Sequence, residues 1–192
     1  MNDAMAQEVF LNFMQINGKL IVSSQTLDWL ISQGFFVKPA AISHHGNHTG
    51  GLFEHSLAVA QVLVEMTQKF DIPWTRPESP HIVGMFHDLC KLDDYVDENA
   101  SDIVIMGSGS PISKNPKWIH NPTLLMGGHG DKSVMMLSQV MTLTEEEMLC
   151  IRFHMGAYVT SDWDAFDRAI RKYQSVLFTH TADMYASKVQ DV

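Results

Sequence analysis

His55, the adjacent pair His87-Asp88, His129, His154 and Asp183 follow one another along this chain. Imidazole nitrogens and carboxylate oxygens are the donors that a hard or borderline divalent cation takes. His55 falls on the apolar side of a stretch in which Leu52, Val59, Val62 and Met66 recur at spacings of three and four. The pair lies in GMFHDLCKL, which reads as a helix packed among apolar residues. Asp183 lies in FTHTADMYAS, where an unpaired Asp is a poor helix former and Leu177, Phe178, Ala182, Met184 and Tyr185 argue for burial. Any one of these histidines alone reads more readily as a hydrogen-bonded core residue. Together, in an apolar helical core without a metal, the groups would carry a large desolvation cost. The pattern therefore points to a metal site, and the metal to hydrolytic or oxygen chemistry.

The elements that must position them read mostly as helices. Residues 4–16 are amphipathic, with Val9, Phe10, Phe13 and Met14 on one side. Ser24 is placed to cap a second helix running to Gly34, with Leu27, Leu30 and Ile31 inside. The histidine-rich loop ISHHGNHTGG leads into a long helix over about 51–70, and prolines 73, 77 and 80 separate it from the helix of the His-Asp pair. Residues 96–127 lack helical periodicity and read as a long irregular loop with a short hairpin, Ile103–Met106 against Lys117–Ile119. Helices resume at roughly 129–141, 144–155 and 164–188, the second opened by a Thr144/Glu147 capping box.

At 192 residues the chain suits one all-α domain, with N-terminal helices over 1–35 and a metal-binding core over 44–188. A net charge of −9 argues against a broad grip on duplex nucleic acid, which needs clustered Lys and Arg. It leaves room for a small phosphorylated substrate, whose charge a bound metal meets locally. Cys90 and Cys150 sit in apolar helical runs and read as reduced thiols. With no signal-peptide pattern in MNDAMAQEVF and no apolar run of about 18 residues, the expected location is cytoplasmic, with no membrane partner. A homo-oligomer is compatible with the sequence, which does not fix it.

The order H…HD…D resembles the HD-domain superfamily of metal-dependent phosphohydrolases, and His55, His87, Asp88 and Asp183 match that motif residue by residue. GGLFEHSLAVA looks like the family's first-histidine helix and FHDLCKL like its HD helix, with Cys90 in place of the usual glycine. The resemblance covers roughly residues 44–188. It implies an all-helical bundle with bound divalent metal, whether Mn, Fe, Ni, Co, Zn or Mg. In members with the extended pattern H…HD…H…H…D, the positions of His129 and His154 bind a second metal; two metals are expected here, with Asp88 bridging them. The competing reading leaves His129 capping the helix near Asp131 and His154 in the core.

HHGNHTGGL resembles a string in HD proteins related to a bacterial 3′-to-5′ exoribonuclease, so His44, His45 or His48 is a candidate phosphate contact. Lys91 shares a helix side with His87 and Asp88, and in the family this lysine looks like a phosphate contact. Lys132 and Arg152 are further cationic candidates for substrate, while His81, His120 and His180 read as structural. The function this implies is hydrolysis of a nucleotide or short oligonucleotide phosphoester by metal-activated water, with Asp88 and Lys91 catalytic. Two alternatives share the fold: a di-iron oxygenase and a non-catalytic nucleotide-binding regulator.

Overall fold

The computed structural model describes residues 1–42, 46–100, 112–113, 115–157 and 162–192. It is mostly helical, with two small two-stranded sheets. None of the described helices is long and apolar enough to cross a membrane.

Helix α1 spans Asp3–Phe13, and the Asn2 side chain caps it by accepting from Met5 N. It ends earlier than its apolar pattern suggests. Asn17 and Gly18 both take positive φ, turning strand β1 (Gln15–Ile16) back onto β2 (Lys19–Leu20). Asn-Gly is the dipeptide a type I′ hairpin favours, and that signal outweighed the helical one. Helix α2 spans Ser24–Gln33; its cap is Ser23 rather than Ser24, and Gly34 closes it in the left-handed region. Leu30 and Thr26 are buried there, whereas Ile31 is exposed, against expectation.

Helix α3 covers Gly51–Phe70 and lies against α4 (Ser79–Phe86) and α9 (Ser175–Tyr185). Its contact with α4 is unusually close: a Cβ on Gly84 would sit 2.3 Å from Ala60 Cα. Phe10, Phe35, Phe36, Phe53 and Phe86 stack edge-on or tilted behind this joint, with centroids 5.2–6.5 Å apart, and fill the core between α1, α3 and α4.

The stretch read as one helix, GMFHDLCKL, is broken. After α4 the chain makes a tight turn over 87–90 before the short α5 (Lys91–Asp94). Hydrogen bonds there run three residues back, from Lys91 N to Asp88 O at 3.1 Å and from Leu92 N to Leu89 O at 3.0 Å. Strand β3 (Tyr95–Asp97) then pairs antiparallel with β4 (Trp118–His120), Val96 opposite Ile119. The expected partner Ile103–Met106 lies outside the described residues; the strand that pairs with β4 is β3. Buried Asp97 fastens the insertion's base, accepting from the amides of Asn99, Ser113 and Lys117.

Helices α6 (Gly130–Leu137) and α7 (Glu145–Arg152) follow, the second with its capping box formed as expected. They also meet closely: a Cβ on Gly130 would lie 2.1 Å from Arg152 O. The single helix expected over 164–188 is two, α8 (Trp163–Lys172) and α9, because Tyr173 leaves the helical region at φ −136 and ψ 103. No proline or glycine marks that break. A π-helical turn, Ala186–Gln190, closes the described chain's helical part.

Candidate metal centre

His55 projects from α3, His87 and Asp88 from the turn after α4, His154 from the end of α7 and Asp183 from α9. These residues are at most 8 % exposed. Three overlapping sets have ligand atoms within 4.8 Å of one another: His55, His87 and Asp88; His87, His154 and Asp183; Asp88, Cys90 and His129. All six residues expected to bind metal thus come together. His154 groups with His87 and Asp183 rather than with His129, and Asp88 connects the buried part of the cluster to His129 at its exposed edge.

The hydrogen bonds fix the imidazole tautomers. His87 Nδ1 lies 2.8 Å from Gly84 O, His154 Nδ1 2.7 Å from Ile151 O and His55 Nδ1 3.0 Å from Val192 O. A carbonyl only accepts, so each Nδ1 donates, and each neutral ring presents its Nε2 lone pair to the centre. His55 Nε2 and His87 Nε2 face each other at 3.2 Å. His154 Nε2 is fully buried with no hydrogen-bond partner, although Asp88 Oδ1 is 3.4 Å away. Asp183 Oδ1 is 3.3 Å from His55 Nε2 and 3.9 Å from His87 Nε2. Lone pairs and carboxylates converge where donors would be expected, and imidazoles anchored through the other nitrogen to backbone carbonyls are how metal-binding histidines are held. The residues fit a divalent metal ion.

Electrostatics agree. Burial pulls the His55 and His154 pKa values down, but Asp183, Asp88 and the backbone carbonyls that their rings bond together hold both above the usual histidine value. His87, wholly enclosed and flanked by other imidazoles, drops to about 4, so it stays neutral. Burial alone would raise Asp88, yet Lys91, His129 and His154 hold its carboxyl well below the ordinary range. The centre stabilises positive charge and keeps its carboxylates ionised.

A cleft of about 250 Å³ opens beside the cluster, lined by Lys91, Tyr95, His120, Asn121, Gly128 and His129 among others. Lys91 is nearly buried, with its Nζ 5.6 Å over the Tyr95 ring. A larger cavity of about 410 Å³ near Trp74, Glu146 and Lys172 contains none of the clustered histidines.

The other candidate substrate contacts have partners of their own or lie outside the described residues. Lys132 is buried and bonded to Asp93 at 2.7 Å and Asp94 at 2.8 Å, so its charge is committed internally. Arg152 pairs with Asp131 at 2.8 Å and lies over the Phe153 ring. Neither lines the cleft. His44 and His45 lie outside the described residues, and His48 pairs with Glu54 at 2.7 Å. His129 occupies the N-cap position of α6 but makes no side-chain cap bond, leaving its ring for Asp88 and Cys90. His180, read as structural, supports the centre indirectly through Nδ1, which donates to His154 O at 2.7 Å.

The residue missed by sequence reasoning is Cys90, whose Sγ lies 3.6 Å from both Asp88 Oδ1 and His129 Nδ1. Two residues along a regular α-helix point about 200° apart, which set Cys90 opposite Asp88. A three-residue turn narrows that angle to about 120°. Its position two residues after the pair, where the resembled family has glycine, was the available signal. No family model, curated protein or solved structure matches the chain.

Proposed function

We propose that the protein is a metal-dependent phosphohydrolase acting on a nucleotide or a short oligonucleotide end. The observation that carries this reading is a buried set of histidine and aspartate donors beside a cleft that His129 and Lys91 both line. His55, His87, Asp88, His154 and Asp183 would hold divalent metal, with His129 at the solvent side. When bound, the metal supplies Lewis acidity and lowers the pKa of water at the site.

Asp88 stays anionic under the Lys91 charge, so its carboxylate would hold metal and can accept from an attacking water. Burial lowers the Lys91 pKa, but Asp88 and the other acidic groups around it together hold it above the ordinary lysine value, so Lys91 stays protonated and can donate to the non-bridging oxygens of a phosphoryl group in the cleft. Tyr95 and Asn121 wall the cleft, and its modest volume suits a small ester rather than a duplex. The open side lets solvent return a proton to the leaving oxygen.

The test is hydrolysis by metal-reconstituted protein, with manganese, nickel, cobalt, iron and zinc, against a nucleotide panel and a generic phosphodiester. Release of phosphate or nucleoside without dioxygen is expected. Turnover that needs iron and stops anaerobically would replace this reading with an oxygenase. Metal-independent nucleotide binding without turnover would replace it with a regulatory module.

A further inference from the structure

We propose that Cys90 is itself a metal ligand, giving the solvent-side position a thiolate alongside Asp88 and His129. The inference rests on the metal-binding reading above but not on the reaction assigned to it. Cys90 Sγ, Asp88 Oδ1 and His129 Nδ1 form a triangle with edges of 3.6, 3.6 and 3.9 Å. Bonds of about 2.3 Å to sulfur and 2.1 Å to oxygen or nitrogen, set tetrahedrally, place sulfur roughly 3.6 Å from its fellow ligands. The two sulfur edges have that length.

A second observation points the same way. His154 Nε2, fully buried and unpartnered, faces the same Asp88 oxygen from the protein side at 3.4 Å. One carboxylate oxygen is therefore surrounded by a thiol and two imidazoles. The sulfur is also held in place: Cys90 N donates to Ser133 Oγ at 3.0 Å, fixing the turn from α6, whose N-cap is His129. On coordination the thiol gives its proton to solvent and the Sγ lone pair forms the bond, with no change of oxidation state. A thiolate in the set favours zinc, cobalt or ferrous iron over magnesium or manganese.

The chain has two cysteines, so in Cys150→Ser the Cys90 sulfur is the remaining thiol. Cobalt(II) titration of the full chain and of Cys150→Ser should give visible d–d bands together with a near-ultraviolet sulfur-to-cobalt charge-transfer band. Cys90→Ser should lose the charge-transfer band and keep the d–d bands. Cobalt uptake by Cys150→Ser without a charge-transfer band would overturn the Cys90 assignment and leave the metal centre standing. Failure of the full chain to take up cobalt at all would overturn both. Because Cys150→Ser carries the decision, a folding defect in Cys90→Ser would not obscure the result.

Discussion

Gly84→Ala tests whether the α3–α4 joint sets the geometry of the metal centre. The added Cβ would lie 2.3 Å from Ala60 Cα and 2.8 Å from Ala60 N, about 1 Å inside ordinary van der Waals contact. Both atoms belong to backbone, so no side-chain rotation relieves the clash and the helices must separate. Overpacking of this kind costs about 3 kcal/mol, while alanine's helix preference returns about 1 kcal/mol. The net loss is about 2 kcal/mol, or a melting temperature lower by about 4–8 °C for a chain of this length. His87 follows Gly84 by three residues and bonds its carbonyl, whereas His55 rides on the opposite helix. A separation near 1 Å exceeds the ~0.2 Å tolerance of a metal–ligand bond. Zinc or manganese affinity, measured by competition with a chelating dye, should therefore fall at least ~10-fold. Gly127→Ala is the control, since its Cβ would meet nothing within 4 Å, and its melting temperature should not change. A Gly84→Ala protein that melts and binds metal like the parent would refute the argument that this joint spaces the imidazoles.

Metal at 100 times its dissociation constant should stabilise the parent by about 2.7 kcal/mol, raising the melting temperature by roughly 5–10 °C, and a chelator should reverse it. Asp88→Ala should fold yet show neither that rise nor hydrolysis; retention of either would remove Asp88 from its assigned place. Lys91→Ala should keep its metal content and lose on the order of 2–4 kcal/mol of transition-state stabilisation in kcat/KM, comparable to removing an oxyanion donor. The last prediction concerns pH. Burial lowers the Lys38 pKa from 10.5 to about 8, although its Nζ donates to Leu92 O and Tyr95 O. Between those values the unfolded chain binds more protons than the folded one, so this residue's contribution to stability rises with pH from about 8 to 10.5 and is least favourable below 8. Denaturation of the parent against Lys38→Met across that window should show a difference that grows with pH toward the parent, by up to about 3 kcal/mol; a flat difference would mean that Lys38 is not protonated differently in the two states.

The helical class and the long α3 were legible because both rest on periodicity that tertiary contacts reinforce. Leu52, His55, Val59 and Val62 fall on the buried side of α3 as their spacing requires. Local chemistry decided where periodicity misled. The Asn17-Gly18 turn cut α1 short, and Tyr173 divided a pattern that reads continuously across α8 and α9. Lys132 shows what sequence alone leaves out. As a lone cation in sequence it is a candidate for substrate, but Asp93 and Asp94 come from another element and claim its charge.

The candidate metal centre was legible in its residue types and illegible in its grouping. Donor identity is a property of side chains, so six histidine and aspartate positions stand out before any fold is known. Which donors share an ion depends on how closely helices approach and how tightly one turn is wound. Gly84 lets α4 press on α3, bringing His87 to His55; Gly130 lets α6 press on the end of α7, bringing His129 and His154 near the same Asp88 oxygen. The three-residue winding after α4 then turns Cys90 toward Asp88, where an α-helix would turn it away. A change of one hydrogen-bond register thus alters the candidate ligand set by a thiol, and with it the metals the site would prefer.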